Sequence, residues 1–459
     1  MPFTRNDLAQ RWKYTDEAWR LAIVAFLVAK LWYAVWSWTI LTFQPLAVQN
    51  IELSGEPILT VFSLHTSHAY TYLREVDGET LDFRALNEDM VVDLQTGSVW
   101  DISSCFAVQG KYKGTVLSPS RSDASEIFPY HGVTPFPYKW LAIWQRFDAN
   151  WYLAVAENGY GSIPGDDHFP PIFPVLIRLF RPLFGSAFLA GLFISNVCTL
   201  YAIRLLCSLF IESAGSLVGR RATLLFLLYP TSFFLFSAYS ESVFLVAALL
   251  SLQSMKTRSW AWAGFWTFCA ILIRLQGAAL LAPMLYLIWQ DHPRLRKFAH
   301  WFGLIIPALG GLFYLYLRSQ QVMTGAIPFT EADWHARLVL PWETYLYAIR
   351  TLFSGSVTFI DFLNWAIATL FIVLLGIGWR KTPLEYNLYT VFSLLIMLIR
   401  IVETQPLISM SRYSLTLFPI FLVFAHAGEN VWLRRAIVYT FIPLNLYLSA
   451  QFFLWGWVA

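Results

Sequence analysis

Charged and aromatic side chains gather in short polar islands along an otherwise apolar chain. Arg146-Phe147-Asp148 opens a stretch rich in Trp and Tyr, and Asp166-Asp167-His168 precedes the proline-rich run Phe169–Pro174. Tyr239 and Glu241 lie within Ser237–Ser242, and Arg274-Leu275-Gln276-Gly277 follows. Trp334-His335-Ala336-Arg337 and Ser411-Arg412-Tyr413 come later. These residue types suit a phosphate-bearing lipid and a sugar. The guanidinium of Arg274 or Arg412 presents a planar fork of donors with a permanent charge, a match for phosphate. Carboxylates such as Asp167 and Glu241 accept hydrogen bonds from sugar hydroxyls. Arg146, His168, Tyr239, Gln276, His335 and Tyr413 offer further polar or stacking contacts. Sugar transfer to a hydroxyl needs a base for the acceptor and a cation for the departing phosphate, and both types are present.

Each residue also has a structural use. Asp148 can pair with Arg146, Glu241 can cap a helix together with Ser240 or Ser242, and Arg274 and Arg412 can snorkel to lipid headgroups. Asp166-Asp167-His168 has the donors for a divalent cation, but a polar loop before a proline-rich segment accounts for the same residues. No metal or other cofactor is expected. His65-Thr-Ser-His68 would point its two rings to opposite faces of a strand.

The elements that must position these groups are membrane helices. Of 459 residues, 57% are hydrophobic and only 13% charged, about half the charge of a soluble domain. That excludes disorder, a coiled coil and a soluble enzyme, and leaves an all-α polytopic membrane protein. A net charge of +3, dispersed along the chain, gives no reason to expect nucleic acid as a partner. Cys105, Cys198, Cys207 and Cys269 lack the spacing of a disulfide framework or a zinc site. The apolar runs predict about eleven transmembrane helices, with ten or twelve as alternatives, at 21–43, 187–211, 222–237, 242–255, 259–273, 278–290, 299–318, 353–378, 385–402, 412–427 and 436–455. The first reads as a signal anchor. With residues 1–20 cytoplasmic, the positive-inside rule places fifteen lysines and arginines on one side, among them Arg220, Arg221, Lys256, Arg258, Arg380 and Lys381. The polar islands then face the outside, in a loop over 44–186, a second over 319–352 and the short turns of the core 187–459. Within the first loop, 50–130 reads as a small β-rich insertion with turns at Asp77-Gly78 and Thr96-Gly97. The stretch Tyr138–Val155 reads as an interfacial amphipathic helix.

Five of these segments resemble, in the same order, the PIG-V mannosyltransferase family, which has bacterial relatives. Phe147-Asp148…Tyr152…Glu157-Asn158-Gly159-Tyr160 is similar to its Trp-Asp…Tyr…Gly-Tyr signature, with Phe147 in place of the Trp. His168–Pro174, Ala238-Tyr239-Ser240-Glu241-Ser242, Arg274…Gly277…Pro283 and Ser411-Arg412-Tyr413…Phe418-Pro419 follow. The likeness runs from about 140 to 290 and recurs near 411. It implies a GT-C-type glycosyltransferase using a polyprenyl-phosphate sugar donor, with a lipid or glycan as acceptor. The site would lie on the extracytoplasmic face, in a bacterial-type plasma membrane rather than the endoplasmic reticulum. The resemblance also gives Asp148 the role of catalytic base by its position in the first outer loop. A flippase for lipid-linked sugars, or a catalytically inactive partner subunit, is the alternative reading. A transporter should carry ionisable groups at mid-membrane, whereas the candidate groups here lie mainly at the outer ends of the spans.

Overall fold

The computed structural model describes residues 5–458 apart from 54, 65, 67, 121–127, 129, 164, 292–297, 324–335, 354–356 and 403–404. Two compact units form. One holds residues 1–30, 155–448 and 458–459, and the other holds 31–154 and 449–457. Helix α1 (Arg5–Phe43) starts in the first and ends in the second.

The smaller unit is built on antiparallel β-structure. Strands β1 (Leu46–Leu53), β2 (Glu56–Ser63) and β3 (Ala69–Leu73) form one sheet in that order. Strands β4 (Glu75–Val76) and β5 (Glu79–Thr80) form a hairpin closed by Asp77-Gly78, both at positive φ (52° and 80°). This is the turn that Asp-Gly favours, because its backbone twist matches that of the flanking strands. Strands β6 (Phe83–Ala85), β7 (Met90–Asp93), β8 (Val99–Asp101) and β9 (Ala107–Gln109) make a second sheet, also in sequence order. Leu59, Val61, Leu81, Phe83, Val91, Trp100 and Leu117 fill the core. Asp93 organises one edge: its carboxylate accepts from the Thr96 backbone N–H at 2.6 Å, the Ser98 N–H at 3.1 Å and Trp100 Nε1 at 3.1 Å. Burial alone would raise its pKa; these hydrogen bonds overcome that and hold it below the usual carboxylate range.

Short helices α2 (Lys139–Ala142) and α3 (Asp148–Asn158) stand where one helix over Tyr138–Val155 was expected. The break falls at Phe147, whose φ is +47°, a conformation no α-helix can pass through. Phe147 packs against Phe452, Trp455 and Trp457, ring centroids 5.3–6.0 Å apart.

The larger unit is helical. It comprises α4 (Ile172–Phe184), α5 (Ala187–Leu228), α6 (Glu241–Lys256), α7 (Trp260–Ile273), α8 (Leu281–Gln290), α9 (Phe298–Met323), α10 (Pro341–Leu352), α11 (Phe359–Gly378), α12 (Leu384–Leu398), α13 (Met410–Tyr413), α14 (Ile420–Ala427) and α15 (Val431–Phe453). Among the described residues, five helices are long and apolar enough to cross a membrane: Asp16–Phe43, Ala187–Leu228, His300–Leu317, Phe359–Gly378 and Val431–Phe453. Trp260–Ile273, Leu275–Gln290 and Leu384–Leu398 are shorter apolar helical stretches. The chain is thus a largely helical, multi-pass membrane protein with a β-sheet region near its N-terminus.

Several expected spans differ in form. The loop expected at 212–221 is helical except at Gly215 (φ +80°), so 187–211 and the start of the next run merge into α5 across a kink. That next run, expected to reach 237, ends at Leu228 because Pro230 forces Tyr229 out of the helical region (ψ 142°). The run 385–402 stops at Leu398. Arg400–Val402 instead forms β11, antiparallel to β10 (Ala336–Leu338). The run 412–427 is split into α13, a 3-10 turn over Ser414–Thr416, and α14 beyond Pro419.

Candidate functional site

The breaks in the apolar runs create the site. The segment 229–240 is irregular and buried, so its backbone carbonyls must find partners inside the protein. Polar residues of the neighbouring helices supply them. On α5, Ser195 Oγ donates to the Tyr239 carbonyl (2.9 Å), Asn196 Nδ2 to Phe236 (3.2 Å) and Thr199 Oγ1 to Leu235 (2.5 Å). On α15, Asn445 Nδ2 donates to the carbonyl of Tyr229 at 3.1 Å. Thr231 Oγ1 donates to the Ser411 carbonyl (2.8 Å), and the Ser411 N–H donates to Asn364 Oδ1 (2.9 Å). These bonds fasten the start of α13 to the irregular segment.

Glu241 opens α6 on this platform, where the positive end of the helix dipole favours an acid. Ser240, the residue before it, makes no side-chain capping bond, and the Glu241 side chain is fully buried. Arg274, extended at the end of α7 (φ −155°, ψ 139°), places Nη1 2.5 Å from Glu241 Oε1 and 3.3 Å from Ser240 Oγ. Gly277 makes this turn possible: a Cβ there would sit 2.3–2.7 Å from the backbone of Ala270 and Ile271. Arg412, on α13, brings Nε to 3.4 Å from the same Glu241 oxygen, and its Nη2 lies 3.4 Å from Ser409 Oγ. The Tyr413 ring lies under both guanidiniums, 4.7 Å from Arg274 and 5.0 Å from Arg412. Tyr239 and Phe234 flank Arg412 at 5.5 and 5.4 Å. Oε2 of Glu241, shut off from solvent, accepts no hydrogen bond from the described residues.

This arrangement is a buried cluster of two arginines that share one glutamate oxygen, walled by aromatic rings. It joins Tyr239, Glu241, Arg274, Arg412 and Tyr413, all singled out from sequence. Gln276 lies half-buried on the Arg274 turn. Phe234, Ser240 and Ser409 were not foreseen; Ser240, next to Glu241, was read only as a helix cap.

The other candidates stand on other elements. Asp167 and His168 pair with each other (Oδ1 to Nδ1, 3.2 Å). Their neighbour Asp166 is buried and closes its own loop by accepting from the Ser162 N–H at 3.1 Å; burial raises its pKa. Gly159 ends α3 at φ +84°, and the Tyr160 hydroxyl donates to the Phe169 carbonyl at 2.5 Å. Both motif residues thus shape the loop. In the smaller unit, Arg146 is buried. It donates to the carbonyls of Phe453 (3.1 Å), Ala142 (2.8 Å) and Gln145 (3.1 Å), and lies over the rings of Trp455 and Phe62 at 4.8 and 5.5 Å. Asp148, half-buried, opens α3. His335 lies outside the described residues, as do His65 and Trp334. Among the described residues, no group of three or more His, Cys, Asp or Glu could hold a metal ion.

A multi-pass membrane protein with a buried cationic cluster at irregular helix ends is the class these features define. Residues 104–293 match the family described as mannosyltransferase (PIG-V). Over that stretch the chain is similar to the PIG-V mannosyltransferases. GPI alpha-1,6-mannosyltransferase 2 of Rattus norvegicus is 29% identical over 212 residues, 42% of this chain. The chain spans 40% of the length of that relative. No solved structure matches. The family match begins within the expected insertion at 50–130 and includes Asp148, Glu241 and Arg274, while Arg412 and Tyr413 fall beyond it.

Proposed function

We propose that the chain is an inverting membrane glycosyltransferase. It moves a hexose, mannose by its family likeness, from a polyprenyl-phosphate donor to a lipid or glycan acceptor on the extracytoplasmic face. The observation that carries the reading is the pair of buried arginines sharing Glu241. A sugar-phosphate-lipid diester bears one negative charge, and guanidiniums present the fork of donors that matches a phosphate. When the bond between the anomeric carbon and the phosphate oxygen breaks, its electron pair stays on the phosphate, which then carries a second charge. Arginines held in a low-dielectric pocket stabilise that charge as it develops. Glu241 Oε2 has a free acceptor position for a sugar hydroxyl, and Tyr239 and Tyr413 exclude water. Asp167 and His168 belong to the polar wall that meets the sugar.

Asp148 takes the proton of the acceptor hydroxyl as its oxygen bonds to the anomeric carbon. The test is incubation of membranes containing the protein with radiolabelled polyprenyl-phosphate mannose. Label should enter a lipid or glycan product, and Asp148→Asn should abolish transfer with expression intact. Label that crosses the membrane with its phosphate linkage unbroken would instead establish transport.

A further inference from the structure

We infer that Arg204 and Ser208 of α5, with Trp19 of α1, form a binding site for the phosphate of an anionic lipid headgroup. The site is separate from the Glu241 cluster. Ser195, which holds the Tyr239 carbonyl beside that cluster, precedes Arg204 by nine residues, about 14 Å along the helix axis.

Three observations support it. First, Arg204 is a permanent cation on an apolar helix. Its Nε is shut off from solvent and has no hydrogen-bond partner among the described residues, and the same holds for Ser208 Oγ. The two residues are four apart on one face of α5, so an unmatched guanidinium donor and an unmatched hydroxyl stand together. A helical serine commonly returns its hydroxyl to the carbonyl four residues back, as Ser213 does to Leu209 at 2.7 Å; Ser208 does not. Second, the local acid is already engaged. Glu17, two residues before Trp19, accepts from Ser216 Oγ at 2.5 Å and pairs with Arg220. Arg204 meets the Trp19 ring instead, 5.7 Å from its guanidinium carbon, and Trp19 packs on Tyr201 at 6.3 Å. A ring face attracts the cation and leaves the planar fork of donors able to take an anion. Third, depth and neighbours suit a lipid. Trp19 lies three residues into the apolar stretch Asp16–Phe43, at the edge of the hydrocarbon where headgroups begin. Ile23 and Leu27 continue along the same face of α1, and Val197 stands two turns before Arg204 on α5, each 46–59% exposed. Acyl chains would cover these side chains; a free phosphate ion would not.

The chemistry follows from the donors. A cation at a membrane span without a counter-charge is costly. A lipid phosphodiester has two unesterified oxygens that share one negative charge, and they accept from the guanidinium fork with charge-assisted hydrogen bonds. The Ser208 hydroxyl supplies one donor more. An anionic headgroup fits better than a zwitterionic one, because the ammonium of the latter would need an acid and Glu17 is held by Arg220.

The experiment is a thermal melt of the purified full-length chain in dodecyl maltoside micelles. Phosphatidylglycerol, phosphatidylcholine or inorganic phosphate is added in separate series. Phosphatidylglycerol should raise the midpoint of the wild type saturably, phosphatidylcholine should raise it less, and inorganic phosphate should leave it unchanged. In lipid-free micelles Arg204→Met should melt no earlier than the wild type, since its Nε gives up no bond to a described residue. Its half-saturating phosphatidylglycerol should rise by about 10-fold or more, the scale of one hydrogen bond to a charged group. Ser208→Ala, which keeps the cation and is the milder change to the fold, should raise it by about 3-fold. Arg435 is exposed and also lies over a tryptophan ring, that of Trp432 at 5.3 Å; Arg435→Met should keep the wild-type response. Equal weakening in Arg204→Met and Arg435→Met would mark diffuse attraction to a basic surface and overturn the site. A wild type indifferent to phosphatidylglycerol, a wild-type response in either Arg204→Met or Ser208→Ala, or a midpoint raised as far by inorganic phosphate as by the lipid would overturn it as well.

Discussion

Replacing Arg412 with methionine would remove one guanidinium from the cluster while leaving Glu241 paired with Arg274. Glu241 keeps its shorter contact, 2.5 Å to Arg274, and loses only the 3.4 Å contact to Arg412 Nε. Folding should therefore be largely preserved, while the negative charge of the donor meets one guanidinium instead of two. A hydrogen bond to a charged group contributes about 1.5–3 kcal/mol, so kcat/KM for the donor should fall by about 10- to 150-fold at ~1.4 kcal/mol per decade. Glu241→Gln has the opposite profile. It takes from two buried guanidiniums the acid they share, and breaking a buried pair in this way costs about 3–5 kcal/mol. That variant should show low yield and early thermal unfolding in detergent. The assay is radiolabel transfer at varied donor concentration, paired with thermal melts of the same preparations. Arg412→Met with wild-type kcat/KM would refute the assignment of Arg412 to the donor phosphate. Glu241→Gln that melts with the wild type would show that the acid does not hold the arginines.

Other outcomes follow from single contacts. Gly277→Ala should lower thermal stability and transfer together, because the new methyl meets the Ala270–Ile271 backbone at 2.3–2.7 Å and displaces the Arg274 turn. The thermal midpoint should fall as pH drops from 6.5 towards 4. His131 is held neutral when folded, so the unfolded chain binds the extra proton in that window and acid favours unfolding. His131→Gln should flatten that slope in melts at stepped pH. Asp93→Ala removes the acceptor for Thr96, Ser98 and Trp100, and should increase proteolysis within 83–109 while membrane insertion stays unchanged.

Composition and run length announced the helical membrane class, and the Asp77-Gly78 turn is formed as expected. What the apolar runs concealed were their ends. Hydropathy rises and falls over some twenty residues, whereas helix ends are decided by one. Pro230 stops α5 through Tyr229, Phe147 at positive φ divides α2 from α3, and Arg400–Val402 turns from helix to strand. The Arg274, Glu241 and Arg412 motifs were legible because charged residues beside apolar spans are rare. Their convergence on one carboxylate oxygen was not, since residues 241, 274 and 412 meet only through tertiary packing.

Many polar side chains in the helical unit serve the backbone, and this separates them from the groups that have capacity left for a ligand. Ser195, Asn196, Thr199, Thr231 and Asn445 satisfy carbonyls that an interrupted helix exposes; without them the irregular segment would carry bare acceptors in an apolar setting. Glu241 is different. Among the described residues it is the one carboxylate with an oxygen shut off from solvent and lacking a hydrogen-bond partner, although two arginines share its other oxygen. A buried acceptor left open beside concentrated positive charge is costly unless something else fills it. A ligand bearing both hydroxyl and phosphate supplies the donor and the anion together, which a hydrocarbon chain cannot do. That requirement suits a phosphate-linked sugar.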